Sequence, residues 1–359
     1  MLGQRIKQMR MAKGLSLRAL ADKMGCVTAP AISNYETGKN TPSSPVLIAI
    51  ADALDTSVSA LFQRTRVTLG EPAYRKRSTM RKTEKRALQN HVALQVERHL
   101  EAEAIFSINA HESLELPDSV IKPLNDVSDA ENRAEELRKY WELADHPIKN
   151  LVELLEDKGI LVVCVKDFND FDGCTYPDSE IPIVVVNEDR PGDRFRFDLA
   201  HELAHLVLRF PEDWDKKQQE KAAHRFAAAF LVPASAAMAE LVDTKKRPRI
   251  TGLELNDLKL KYGMSIQAWY YRAKDLGIIS ETAFRAIWQS LSAKKLTKQE
   301  LGEAYPLETT SRHRRLVARA YADGRISESR AAELLGVSVS DLHCILMDGL
   351  DDDQVDVAC

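Results

Sequence analysis

His201, Glu202 and His205 are the residues best placed to act together, within Asp198-Leu199-Ala200-His201-Glu202-Leu203-Ala204-His205-Leu206-Val207-Leu208. The apolar positions of this run recur at helical spacing. On a helix, residues i and i+4 share a face, so both imidazoles can reach a single metal ion. Glu202 sits one residue round, where it can touch a water at that ion but is poorly placed to be a ligand. A catalytic zinc takes three protein ligands and keeps one position open. Glu220, on the next apolar-faced helix with Ala223, Phe226, Ala227 and Phe230, could deliver the third. Burying a His-Glu-His set on an otherwise apolar face is costly unless it has a task. The task such a set suits is metal-assisted hydrolysis. Two neighbours are ambiguous. Asp198, one turn before His201, could accept that imidazole's second N–H or act as an ordinary cap. His224, four residues after Glu220, could line the site or simply pack.

These side chains need a frame, and the flanking sequence supplies one. Ile160–Lys166 and Ile181–Asn187 read as strands with a turn at Asp172-Gly173 between them, giving a small sheet before the His-Glu-His helix. Pro191-Gly192-Asp193 opens that helix, expected over about 194–209. The Glu220 helix is expected over about 216–231, stopping at Pro233. Helices are also expected at about 83–105, 129–143 and 147–157, and through most of 250–347. Residues 1–62 read as five short helices. Gly14-Leu15-Ser16 ends the first and caps the second, Gly25 ends the second, and the third covers roughly Pro30–Glu36. The fold class expected is α+β and predominantly helical.

Composition narrows the field. At 359 residues, 44% hydrophobic and 29% charged, the chain has the make-up of two or three globular domains, not of a fibrous or disordered protein. Its longest apolar runs are strand-sized, so no membrane span is expected. The opening segment lacks a secretory h-region, and the five cysteines (Cys26, Cys164, Cys174, Cys344, Cys359) lack C-x-x-C spacing. Reduced thiols and a cytoplasmic location are the expectation. The net charge of −4 conceals an asymmetry: residues 1–100 hold 17 Lys and Arg against 7 Asp and Glu, leaving 33 against 47 for the rest. A basic front on an acidic body suits contact with an anion such as DNA.

The run Phe197–Leu208, followed by Glu220-Lys221-Ala222-Ala223-His224-Arg225-Phe226-Ala227-Ala228-Ala229-Phe230-Leu231-Val232-Pro233, resembles the two signatures of the ImmA/IrrE metallopeptidases. The resemblance covers about 150–285, including Tyr262-Gly263-Met264-Ser265. It implies a zincin-like domain in which His201, His205 and Glu220 hold Zn2+, with Mn2+ the alternative, and Glu202 is the general base. It further implies a protein substrate, a helix-turn-helix repressor or antitoxin-like partner, cut to switch gene expression.

A second resemblance covers about 1–62. Leu15-Ser16-Leu17-Arg18-Ala19-Leu20-Ala21-Asp22-Lys23-Met24-Gly25, then Ile32-Ser33-Asn34-Tyr35-Glu36-Thr37-Gly38-Lys39 and Pro42, is similar to Xre/Cro-type helix-turn-helix domains. This implies an operator in double-stranded DNA, with Ala29, Ser33 and Asn34 nearest base edges and Lys39 and Asn40 at phosphates. The third helix carries no Arg or Lys, so base readout would be modest. Near the other end, Ser329–Ser338 followed by Leu342 repeats the helix-turn-helix rhythm. Its second helix offers Asp341 and no basic residue, which suits packing or protein contact better than phosphate.

The layout expected is a helix-turn-helix domain at 1–63, a basic connector and helix at 64–115, and a metallopeptidase domain at 116–245. A helical region at 246–347 and an acidic tail at 348–359 complete it. The function expected is a DNA-binding zinc metallo-endopeptidase regulator, with a homodimer as a further assembly. The competing class is a transcriptional regulator or antitoxin whose peptidase-like domain senses a ligand or binds a partner without hydrolysis.

Overall fold

The computed structural model describes residues 2–63, 69–70, 72–74, 80–108, 114–176, 179, 181–242, 250–293 and 301–347. The basic cluster Arg75-Lys76-Arg77 and the acidic tail lie outside them. The chain forms two compact units: residues 1–69, 80–110 and 310–359 make the first, and 70–79 with 111–309 make the second.

In the first unit, α1 (Leu2–Ala12), α2 (Leu17–Met24), α3 (Ala29–Glu36), α4 (Ser44–Ala53) and α5 (Val58–Leu61) form the five-helix module. The local signals work as read. The Ser16 hydroxyl accepts from the Ala19 N–H at 3.0 Å, and Gly25 closes α2 in the left-handed region at φ 64°. Ile6, Met9, Leu20, Ala21, Ile32, Ile50, Ala51 and Leu61 meet in one core. A buried ion pair not evident in the sequence fixes α3 against α1: Arg10 Nε and Nη2 donate to the two Glu36 carboxylate oxygens at 2.5 and 2.9 Å. Gly3 sits so close that a Cβ would lie 2.2 Å from the Tyr35 carbonyl oxygen.

The long helix α6 (Lys82–Ala104) runs beside this module, contributing Leu94 to its core and pairing Glu97 with the buried Arg5. The connector expected at 64–115 is therefore, in its helical part, a structural spine. The C-terminal helices α16 (Arg312–Ala322), α17 (Glu328–Leu335) and α18 (Val339–Met347) also belong to this unit. Val317, Ala331, Ala332, Leu334 and Leu342 bury themselves with Ala102 of α6. The chain thus divides at 309/310, inside the region that reads as one helical block, because these helices find their apolar partner on α6.

The second unit contains α7 (Asp118–Ile121), α8 (Asp129–Tyr140), α9 (Leu151–Asp157), α10 (Gly192–Val207), α11 (Lys216–Leu231), α12 (Ala234–Val242), α13 (Gly252–Tyr262), α14 (Ile266–Asp275) and α15 (Glu281–Ala293). Its sheet joins β1 (Ala73–Tyr74), β2 (Leu161–Val165), β3 (Gly173–Thr175) and β4 (Ile183–Asn187) in the order β1-β3-β4-β2. β2 and β4 are parallel, whereas β3 runs antiparallel to both β4 and β1. The turn expected at Asp172-Gly173 leads directly into β3, so the sheet has two more strands than the apolar runs announce. Three residues are too few to show alternation, and β1 pairs across a hundred residues of sequence.

α10 packs over this sheet with α11 beside it, around a core that includes Val184, Val186, Leu199, Leu203, Phe226 and Phe230. Each large side chain so buried contributes about 1.5–3 kcal/mol. Buried charges fix the ends of the two helices. At the start of α10, Asp193 pairs with Lys259 at 3.3 Å, and Arg196 binds Glu308. Gly192 is pressed against the backbone of Tyr305 and Pro306, where a Cβ would sit 2.4 Å from the Pro306 oxygen. At the end of α11, Arg138 donates to the Phe230 carbonyl at 2.6 Å and Arg272 to the Val232 carbonyl at 3.0 Å. Both cations meet carbonyls left over by the helix terminus, where positive charge is favoured. Burial lowers the Arg138 pKa to about 10. Among the described residues, no single helix is long and apolar enough to cross a membrane.

Candidate functional site

α10 and α11 bring the candidate ligands together. His201 Nε2 and His205 Nε2 lie 3.1 Å apart, and the two Glu220 carboxylate oxygens lie 3.5 Å from them, one from each. Among the described residues, His201, His205 and Glu220 form the group of metal-ligating side chains whose donor atoms all fall within 4.8 Å of one another. Ligands about 2.0–2.1 Å from a tetrahedral zinc are about 3.3–3.4 Å apart. The donor set and its spacing therefore fit such an ion without rearrangement. His201 is fully buried, whereas the His205 and Glu220 side chains are 18% and 26% exposed, which leaves one side open for entry.

The electrostatics keep the third candidate ligand charged. Burial pushes the Glu220 pKa up, but hydrogen bonds from His201 and His205, with their charge, outweigh it and hold the carboxyl well below its ordinary range. Glu220 is thereby kept ionised, as a ligand must be.

Glu202 is 1% exposed and turns toward the sheet. It lies so close to Gly173 that a Cβ there would be 2.8 Å from Glu202 Cγ and 3.0 Å from Oε1. Gly173 is a site residue that the sequence reading missed, since it passes as half of a turn. Its neighbour Cys174 is also buried; desolvation, with the Glu202 charge adding, pushes its thiol well above the usual range.

Of the two ambiguous residues, His224 comes beside the candidate ligands. His224 stands with its ring centroid 4.5 Å from that of His201 and stacks on Phe197 at 5.7 Å. Asp198 is buried one turn before His201, and Arg194 reaches it at 3.7 Å while also donating to Asp172 at 3.2 Å. Phe210 lies 5.7 Å from His205, between centroids, on the open side.

In the first unit, the expected DNA-facing residues fall at and just after α3. Ala29, Ser33 and Asn34 are half-buried along the helix, and Lys39 and Asn40 are exposed beyond it. The backbone N–H groups of Lys39 and Asn40 fold back onto the Asn34 carbonyl at 2.9 and 3.3 Å, fixing the loop that carries them.

Two stretches of the chain match known family models. Residues 6–61 match the family model described as Helix-turn-helix, and residues 155–274 match the peptidase family described as IrrE N-terminal-like domain. Neither a curated protein nor a solved structure matches the chain significantly. The chain joins an N-terminal XRE-type helix-turn-helix domain to an IrrE-like peptidase domain. It is in this sense a DNA-binding regulator with an ImmA/IrrE-like peptidase domain.

Proposed function

We propose that this chain is a cytoplasmic zinc metallo-endopeptidase that cleaves a repressor-like or antitoxin-like protein, and so changes expression at an operator its helix-turn-helix domain binds. One observation carries the reading: two imidazole nitrogens and a carboxylate from α10 and α11 stand 3.1–3.5 Å apart, the spacing a tetrahedral cation requires.

His201, His205 and Glu220 would hold the ion, zinc by donor type, with manganese as the alternative. When bound, it would supply Lewis acidity to a water and to the scissile carbonyl. Glu202 is the base: its carboxylate takes a proton from the attacking water and passes it to the leaving amine. Gly173 lets that carboxylate lie flat against β3. Asp198 and His224 flank His201 and would orient it, as outer partners of ligand histidines do. The helix-turn-helix domain would bring the enzyme to the DNA where a repressor substrate also sits. Ser33 and Asn34 would read bases, and Lys39 would meet phosphate.

The test is a trap. Zinc-loaded Glu202→Gln should keep its metal, capture the partner protein in a pull-down and leave it uncut, a rate loss of about 10²–10⁴. Cleavage at the wild-type rate would remove Glu202 from the mechanism. A chain whose DNA binding and partner capture are unaltered by His201→Ala, with no cleavage by either form, would be a non-hydrolytic sensor.

A further inference from the structure

Both edges of β3 are taken, and by very different neighbours. On one side β4 pairs Val184–Val186 with Gly173–Thr175. On the other, β1 sets Ala73 opposite Thr175 and Tyr74 opposite Cys174, antiparallel. β1 comes from residues 70–79, which belong to the second unit although the chain on both sides, 1–69 and 80–110, belongs to the first. β1 therefore fills a hydrogen-bonding edge of β3.

That edge borders the candidate site. The Tyr74–Cys174 pair is one register position from Gly173, the residue against which Glu202 lies. A strand edge is a template for extended polypeptide, since main-chain groups pair with it whatever the side chains. A protein segment whose carbonyl meets the water that Glu202 would activate has such a template beside it on β3, at the positions Ala73 and Tyr74 hold. We propose that Ala73 and Tyr74 are an internal occupant of a peptide-docking edge, and that a substrate segment must enter as an extended strand by displacing them. The proposal rests on the peptidase reading above and names how its substrate is received. A tethered occupant competes at an effective concentration of about millimolar. A two-residue pairing yields to a segment that pairs over more of β3, so short or helical segments would be excluded and long extended ones admitted.

The experiment uses the full chain in a Glu202→Gln background, so that nothing is consumed. Proline lacks the N–H a paired strand needs, so Ala73→Pro/Tyr74→Pro should free the edge. The probe is a fluorescent synthetic peptide copying residues 70–79, with a scrambled peptide as control. Expected is at least tenfold tighter binding of the copy by the variant than by the unaltered strand, with the scrambled peptide unchanged. Amide exchange at 173–175 should rise in the variant and fall again when the copy is added. Ala73→Gly/Tyr74→Gly, which keeps both N–H groups, should give a smaller gain in the same direction and serves if the proline variant does not fold. Equal binding by all forms, or exchange at 173–175 indifferent to the peptide, overturns the proposal. Zinc uptake by the same proteins reports separately on the metal reading. A docking edge that binds as expected in a chain that takes up no zinc would leave this proposal standing and remove the hydrolytic one.

Discussion

The proposed metal centre of the second unit and the proposed DNA-facing helix of the first solve positioning in opposite ways. At the centre, the working groups are buried. His201 and Glu202 are 0% and 1% exposed, and the helices that carry them are held at their ends by buried ion pairs and arginine–carbonyl contacts. Polar groups that cannot escape to water must be placed well or not buried at all. On the helix-turn-helix face, Lys39 and Asn40 are exposed, and what is fixed is the backbone beneath them, by Arg10–Glu36 and the carbonyl of Asn34. A hydrolytic site needs side-chain geometry within a fraction of an ångström, whereas a phosphate contact needs a charge at roughly the right place. The two halves should therefore respond differently to small changes.

The sharpest contrast comes from adding one methyl group. Gly173→Ala should push Glu202 off its position and cut hydrolysis about a hundredfold, while zinc content stays at the wild-type value. Steady-state kinetics beside metal analysis checks it, and an unaltered rate would mean Glu202 is not positioned by β3. Acid should loosen the first unit. In the first unit, burial lowers the pKa of His91 and of His313 below the ordinary 6.5. The unfolded chain therefore binds these protons first, and the stability these groups contribute is present above about pH 6.5 and lost as pH falls below it. Amide exchange between pH 7 and 5 should show α6 and α16 loosening as the pH falls; unchanged protection of both would contradict the assignment. The mildest effect belongs to the DNA face. Lys39→Ala should weaken binding by a few-fold on all sequences and make the salt slope less steep by about 0.9, without touching hydrolysis. A sequence-selective loss would mean that Lys39 reads bases.

The same contrast explains what the sequence discloses. His201, Glu202 and His205 declare themselves because a helix converts fixed spacing into a shared face, and Glu220 because the next helix carries its own apolar pattern. The five short helices are likewise spelled out by local caps, Ser16 and Gly25 among them. Pairings between distant segments are not so encoded. β3 hides behind a Gly that reads as a turn, β1 in a basic connector, and the place of α16–α18 beside α6 in alanines that look alike on any helix. Gly3, Gly192 and Gly173 resemble ordinary glycines until the backbone or side chain pressed on each is seen. Arg10 and Glu36, 26 residues apart, bury each other with no local signal of the pairing.

Calorimetric titration of the metal-stripped chain with zinc, comparing wild type with Glu220→Gln, bears most directly on the convergence of α10 and α11. One tight site per chain in the wild type, weakened at least tenfold when the carboxylate becomes an amide, is expected from the 3.5 Å approach of Glu220 to both imidazoles. Equal affinity in the two proteins, or no zinc bound by the wild type, would contradict the metal centre and the hydrolysis built on it.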